Sequence, residues 1–292
     1  MEKAMKATYK PRFRKTGIKS LWAQILVNIY IWTTVLLVIF PLAMTLLFSV
    51  KGINDFDKSF WALPEKIMWS NYGYGFAKVI GNMVNSVAVG LIVTFATLAI
   101  SSFISYIFVR KDFYGRTVLL TILIALMMIP SIIALTPRYL LMQELGLKNT
   151  WWALILPWTA GNLVGSVFLF TTFMRQQPGE LYESAMLDGA GDFATYFYLC
   201  LPLSVPVLMI KLVGVFSGCY NEYLWSLLVI DSQAKQMLMP ELKVLTFEAT
   251  QETGNQGITY AMYLISGIPL IFSSAIGLKF FINGDFASGL KL

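Results

Sequence analysis

The feature that most constrains this chain is a run of thirty residues, 21–50, without a single charged side chain. A helix that crosses a bilayer needs about 20 mainly apolar residues. Five further apolar segments are predicted to cross at about 84–109, 117–136, 151–174, 203–230 and 258–281. Because helices satisfy their own backbone hydrogen bonds in lipid, the sequence predicts an all-α integral membrane protein with about six transmembrane helices.

The composition supports this class and excludes several others. Of the 292 residues, 57% are hydrophobic and only 13% are charged, whereas soluble domains carry about 25% charged residues. The chain has no histidine, so the usual proton shuttle and commonest metal ligand are missing. Cys200 and Cys219 lie in apolar context without metal-ligand spacing. We therefore predict neither a metal site nor a histidine-dependent active site.

The positions of the basic residues predict the orientation in the membrane. Residues 1–20 hold seven Lys or Arg against one acidic residue, and the short loop 110–116 holds three against one. Basic residues flanking apolar spans favour the cytoplasmic side, which explains the net charge of +6 without a nucleic-acid partner. We expect a basic cytoplasmic N-terminal arm at 1–20, a transmembrane domain at 21–292, and both termini in the cytoplasm.

The loop at about 175–202 departs from that charge rule, since it should be cytoplasmic but is acidic. Pro178 suits a first helical position, and the glutamates that follow favour the positive end of a helix. Gly189 can end such a helix, and Asp192 can cap the next one. The pattern predicts a short helix at about 178–189, between the fourth and fifth spans, that is too short to cross the membrane.

The loop also carries a spaced motif. Glu183-Ser184-Ala185, Gly189 and Leu199-Cys200-Leu201-Pro202 resemble the EAA signature of permease subunits in ATP-binding-cassette importers. That signature reads Glu-Ala-Ala, three residues, Gly, nine residues, Ile, one residue, Leu-Pro. The spacing is kept here, with Ser184 and Leu199 as the departures. Most of the chain resembles the maltose and glycerol-3-phosphate type of carbohydrate permease.

The resemblance implies a function and a set of partners. The short helix would be a coupling helix that docks on a separate ATPase and transmits its movement. The residues implied in coupling are Glu183, Ser184, Ala185, Asp188, Gly189, Leu201 and Pro202. The chain would bind no cofactor itself, since ATP and Mg belong to a dimer of ATPase subunits. A second homologous permease, an extracytoplasmic solute-binding protein and the bilayer of a bacterial-type inner membrane would complete an importer of sugars, oligosaccharides first.

The fifth predicted span contains a candidate substrate pathway. Tyr220, Asn221 and Glu222 combine an aromatic face with planar polar groups, and intramembrane charges commonly face a cavity. A position at the outer interface facing water is the alternative for Glu222. Lys211 lies in the same span, where snorkelling to the surface is the alternative to a role. Gly161 and Gly165 have the spacing of close helix packing.

The sequence favours the importer over an enzyme. The chain has no G-x-x-x-x-G-K-[S/T] loop, because Gly17-Ile18-Lys19-Ser20 lacks the required Gly before Lys. We therefore predict a transport subunit that is not an enzyme. A permease of the same class for another small solute remains open. So does an ATP-independent secondary transporter, although no clear internal repeat of the kind common in those proteins is visible.

Overall fold

The structure is a computed structural model that describes residues 21–58 and 61–283. The basic arm predicted at 1–20 lies outside the described residues. The α-helices in chain order are α1 (Leu21–Ser49), α2 (Ile53–Lys58), α3 (Ser70–Arg110), α4 (Arg116–Leu126), α5 (Leu135–Glu144), α6 (Trp152–Met174), α7 (Gly179–Leu187), α8 (Asp192–Thr195), α9 (Leu201–Leu203), α10 (Val205–Tyr220), α11 (Leu224–Val229), α12 (Leu238–Thr253) and α13 (Gly257–Asn283). A π-helical turn, Tyr196–Cys200, joins α8 to α9. Throughout the described ranges the regular elements are helical, as the composition predicts.

Four of the predicted spans are present as single helices long and apolar enough to cross a membrane. They are α1, α3, α6 and α13. A fifth crossing is formed if Asp192–Leu203 and Val205–Tyr220 act together, as a pair bent by 74°. The helix α3 begins at Ser70 rather than near residue 84 and has 41 residues. Its length of about 60 Å exceeds a hydrocarbon core of about 30 Å, so α3 also extends outside the bilayer.

Two predicted spans are not continuous helices. The third, expected at 117–136, is divided into α4 and α5 by turns around Pro130. Proline lacks the N–H that a helix interior needs and restricts the residue before it. The fifth, expected at 203–230, breaks after Tyr220, and only the short α11 follows. The sequence pattern missed both breaks because apolar composition continues across them.

The core forms around α3, which packs against α6, α10, α12 and α13. By contrast, α1 packs mainly on α13 and leaves most of its side chains exposed. Because α1 is mainly apolar and carries no charged side chain, that exposed surface suits lipid. The 41-residue α3 is therefore the helix around which the others pack.

A buried amide network closes the junction of α1, α3 and α13. The Asn71 side-chain Nδ2 donates to the backbone carbonyls of Ser49 and Lys51, both at 2.9 Å. Asn255 Nδ2 donates to Asn71 Oδ1 at 3.0 Å. Gly257 lies against this network, and a Cβ placed there would be 2.3 Å from the Lys51 carbonyl oxygen. The first turn of α13 therefore requires a residue without a side chain.

We expect Gly257→Ala to destabilise the protein by about 1–3 kcal/mol, because the new methyl group forces the network apart. Gly267→Ala is the matched control, since a Cβ at Gly267 in the same helix meets no atom within 4 Å. Thermal unfolding of the purified protein in detergent measures both. Equal melting temperatures for the two variants would contradict the packing described here.

Candidate functional site

The short helix α7 lies where the sequence predicts it and is shaped by its two ends. Pro178 occupies the N-cap with φ −54° and ψ 125°, rather than the first helical position. At the other end Gly189 has φ +81°, a conformation that glycine adopts without steric cost. The Gly189 N–H donates to Met186 O at 3.1 Å, and the Ala190 N–H donates to Ala185 O at 2.9 Å. These are the two bonds of a Schellman ending, which fixes where α7 stops.

Tyr182 attaches α7 to the helices of the membrane domain. Its side chain is only 4% exposed, and the Arg110 guanidinium stacks 3.5 Å from the centre of its ring. Arg110 Nη2 also donates to the carbonyls of Met174 and Gln177, both at 3.2 Å. One guanidinium at the end of α3 thus joins the end of α6 to α7.

A chain of hydrogen bonds runs from the other side of Tyr182. The tyrosine hydroxyl donates to Gln177 Oε1, and Gln177 Nε2 donates to Ser204 Oγ at 3.0 Å. Ser204 Oγ donates in turn to the carbonyl of the buried Cys200 at 2.8 Å. Burial raises the pKa of Tyr182, so the hydroxyl stays protonated as the donor at neutral pH. The network links α7 to the bend between α9 and α10.

The N-cap of α8 differs from the sequence prediction. Gly191, not Asp192, occupies the N-cap of α8, and Asp192 is its first helical residue. The Asp192 carboxylate pairs with Lys111 in an exposed ion pair. An exposed pair contributes little to stability. Its position nevertheless ties the loop after α3 to the loop after α7.

The predicted coupling residues separate into two groups. Glu183, Ser184, Asp188 and Gly189 are exposed on or directly after α7, and Ala185 is half-buried. Leu201 and Pro202 lie instead in α9, at the bend, where Leu201 packs against the buried cluster that contains Tyr182. The α7 surface also exposes large apolar side chains at Leu181, Met186 and Leu187. The sequence analysis did not identify Tyr182 or Arg110 as functional residues. The available signal was an aromatic residue, Tyr182, within a short polar helix.

The three candidate pathway residues occupy different environments around the end of α10. Tyr220 is fully buried, and its hydroxyl donates to the Ser266 carbonyl of α13 at 2.8 Å. Asn221 is exposed and Glu222 is half-buried. Tyr220 therefore connects two helices, whereas Asn221 and Glu222 are accessible at the break in the span.

Glu222 caps the short helix α11. Its carboxylate accepts hydrogen bonds from the backbone N–H groups of Trp225 at 2.9 Å and Ser226 at 3.1 Å. Trp225 is 1% exposed and donates its Nε1–H to the Ala153 carbonyl at 2.9 Å. The Arg138 guanidinium lies 4.0 Å from the centre of the Trp225 ring. The break thus brings Glu222, Trp225 and Arg138 together beside α6.

Comparison with known proteins identifies the family. The sequence profile described as "Binding-protein-dependent transport system inner membrane component" matches residues 97–282, which include α7, the bend and the break at Glu222. The chain belongs to this family. It is therefore a multi-pass membrane permease of an ATP-binding-cassette system that works with an ATPase and a solute-binding protein.

Individual relatives extend the match over more of the permease. The probable ABC transporter permease YurM of Bacillus subtilis is 29% identical over 285 residues, covering 97% of this chain and 92% of YurM. The trehalose/maltose permease MalG of Thermococcus litoralis is 31% identical over 208 residues, covering 71% of this chain and 74% of MalG. These matches argue against an ATP-independent secondary transporter.

A solved structure confirms the fold of the permease. A chain of the bacterial ABC transporter involved in the import of the acidic polysaccharide alginate superposes with a TM-score of 0.80. The match covers 91% of this permease and 100% of that chain, at 20% identity. The predicted all-α permease fold is thereby confirmed.

We expect Glu222→Ala to weaken the permease at the break in the fifth span. Loss of a side-chain cap costs about 0.5–2 kcal/mol, because the backbone N–H groups of Trp225 and Ser226 lose their acceptor. Glu222→Gln is the comparison, because its carbonyl oxygen still accepts one bond while the charge is gone. The melting temperature and substrate uptake of the reconstituted transporter measure the effect. If the alanine variant unfolds no earlier than the glutamine variant, Glu222 does not act as a cap.

Proposed function

We propose that this permease is one transmembrane half of an ATP-driven, binding-protein-dependent importer of oligosaccharides. The observation that carries the proposal is α7, a short helix with defined ends, fixed by Tyr182 and presenting an exposed acidic and apolar face. A helix that transmits movement must be stiff and firmly attached, because a loose segment would absorb the displacement. The attachment of α7 to three helices meets that requirement.

The contacts of Tyr182 and Gln177 define a route for the movement. Displacement of α7 by the ATPase reaches α3 through the stacked Arg110 and reaches the α9–α10 bend through Gln177 and Ser204. The long α3 runs across the core to the outer end of the molecule. ATP and Mg stay on the ATPase subunits, and the permease supplies Glu183, Ser184, Asp188 and the apolar side chains of α7 as the docking surface.

Several features support the assignment of sides and partners. The basic loop 110–116 contacts α7 through Arg110 and Tyr182, which favours the cytoplasmic side for both. The turns between α4 and α5 expose large apolar side chains, with Met128 at 82%, and such a surface suits a second permease that completes the pathway. Two ATPase subunits would dock from the cytoplasm, and a solute-binding protein would deliver cargo at the opposite face.

A saccharide cargo is supported by what the relatives and the structural neighbour are named for. MalG of Thermococcus litoralis belongs to a trehalose/maltose system, and the superposed structure belongs to an alginate importer. The exposed Asn221 and the half-buried Glu222 offer hydrogen-bonding groups at the break. Oligosaccharides are the cargo that these observations favour.

Co-purification and ATPase measurements test the proposal. The permease, solubilised in mild detergent, is expected to carry a second permease and two copies of an ATPase subunit. ATP hydrolysis by this complex should rise when its binding protein is loaded with an oligosaccharide. Purification without an ATPase, or hydrolysis that no saccharide-loaded binding protein stimulates, would reject the proposed function.

A further inference from the structure

Two cations within the apolar bundle form no ion pair in the described part of the chain. Lys211, in the middle of α10, forms no hydrogen bond or ion pair with any residue of 21–58 or 61–283. The Arg138 guanidinium stacks on the Trp225 ring. Its buried Nε–H has no hydrogen-bond acceptor among the same residues. Every ion pair that the described residues do form lies at other positions.

Such cations need a polar or charged environment. Lysine and arginine in membrane segments are costly unless they face water, a cavity or a partner. The Glu222 carboxylate lies near enough to act electrostatically on Arg138, but its two oxygens accept the backbone N–H groups of α11 and form no hydrogen bond with the guanidinium. The planar guanidinium thus keeps its fork of N–H donors available for another acceptor.

Lys211 lies directly beside α6, and Arg138 reaches the same helix through Trp225. The Lys211 Nζ lies 3.7 Å from the position that a Cβ on Gly165 would occupy. Arg138 lies on Trp225, which is bonded to Ala153 in the first turn of α6. The two positions on α6 are about 18 Å apart along its axis. Between them is Gly161, which is exposed and has no atom within 4 Å of its Cβ position.

We propose that Arg138 and Lys211 make the region beside α6 an electropositive face of the translocation pathway, and that the cargo is an oligosaccharide bearing carboxylates, a uronate oligomer. This inference rests on the proposed function and adds the substrate class to it. Arg138 binds a carboxylate with its two-pronged fork, a geometry that lysine does not offer. Lys211 provides a second point charge further along the path. Gly161 leaves room on α6 for a sugar ring to pass.

Uptake by the reconstituted transporter tests the substrate class. The probes are uronate tetrasaccharides of galacturonate, mannuronate and guluronate, each compared with its methyl ester, which keeps the sugar backbone and removes the charge. We expect at least one free acid to be imported, and its KM to rise at least tenfold in Arg138→Gln and further in the double variant with Lys211→Gln. Import of the methyl esters should stay within twofold. Lys148→Gln, which removes one exposed positive charge paired with Asp231, is the matched control and should change neither.

A chemical probe tests the electropositive face without any cargo. Cysteine at Gly161 is labelled in the assembled complex with a negatively charged and a positively charged methanethiosulfonate of similar size. The parent chain, whose Cys200 and Cys219 are both buried, gives the background. We expect the negative reagent to be favoured at least tenfold relative to a free thiol in solution. The double variant Arg138→Gln and Lys211→Gln should abolish that preference.

Distinct outcomes overturn the inference and the proposed function. If neutral oligosaccharides are imported and uronates are not, or if the double variant slows both alike, the cations do not select cargo. If labelling at position 161 shows no charge preference, the cations are neutralised by the second permease, and the inference is wrong. If no saccharide of either kind is imported by a complex that contains an ATPase, the proposed function fails instead.

Discussion

Tyr182→Ala is expected to reduce oligosaccharide uptake at least tenfold while the complex continues to hydrolyse ATP. Truncating a buried aromatic side chain costs about 3–5 kcal/mol. Here the contacts that are lost are those that attach α7 to α3 and to the α9–α10 bend. Without the ring, Arg110 loses its stacking partner and Gln177 loses its hydroxyl donor. ATPase activity should then no longer respond to the loaded binding protein. Parallel assays of uptake and hydrolysis in proteoliposomes measure both effects.

Two conservative variants separate the contacts of Tyr182. Tyr182→Phe keeps the stack on Arg110 and removes only the hydroxyl, so we expect most of the uptake to remain. Arg110→Lys keeps the charge but loses the planar group that stacks and donates to two carbonyls, so uptake should fall nearly as far as in Tyr182→Ala. Full coupling in Tyr182→Ala would show that α7 transmits movement through other contacts.

The second large effect is expected from Glu183→Ala combined with Gly189→Asp, which should abolish uptake while the permease still inserts in the membrane. Glu183 is exposed and free to meet a basic group of the ATPase, and a hydrogen bond to a charged group contributes about 1.5–3 kcal/mol. A residue other than glycine at φ +81° costs about 1–2 kcal/mol and disturbs the end of α7. Membrane fractionation, pull-down of the ATPase and uptake measure the three expectations.

The single variants divide this effect between charge and backbone. Gly189→Asn should retain more uptake than Gly189→Val, since asparagine enters the left-handed region more readily than a β-branched residue. A Cβ at Gly189 meets open space, so any loss arises from the backbone or from the docked partner. Normal uptake in the double variant would disprove the assignment of α7 as the coupling helix.

Much of the fold could be predicted because a membrane-spanning helix is recognisable from its local apolar composition. The uncharged run at 21–50 and the apolar runs of α6 and α13 each identify a helix without reference to any neighbour. The short helix α7 could also be predicted, because proline, acidic residues and glycine define its ends within about twelve positions. The structure has this helix, with the Schellman ending at Gly189.

The sequence could not locate the breaks at Pro130 and after Tyr220, or give the attachments of α7. An apolar residue facing lipid and one facing another helix look alike in composition, so the end of a helix inside an apolar run depends on what packs against it. Tyr182, Arg110 and Gln177 are separated by up to 72 positions in the chain, and no local pattern relates them.

What the sequence by itself determined is therefore the class of protein, the approximate positions of most spans, and the short helix with its motif. Tertiary structure alone decided that α7 is fixed through Tyr182, that Glu222 caps α11, and that Arg138 and Lys211 form no ion pair within the described residues. The physical reason is the separation along the chain of the residues that interact. Hydrophobic burial in lipid and helix capping act between neighbours in the chain, whereas stacking, hydrogen-bond networks and unpaired charges depend on which distant residues the packed helices bring together.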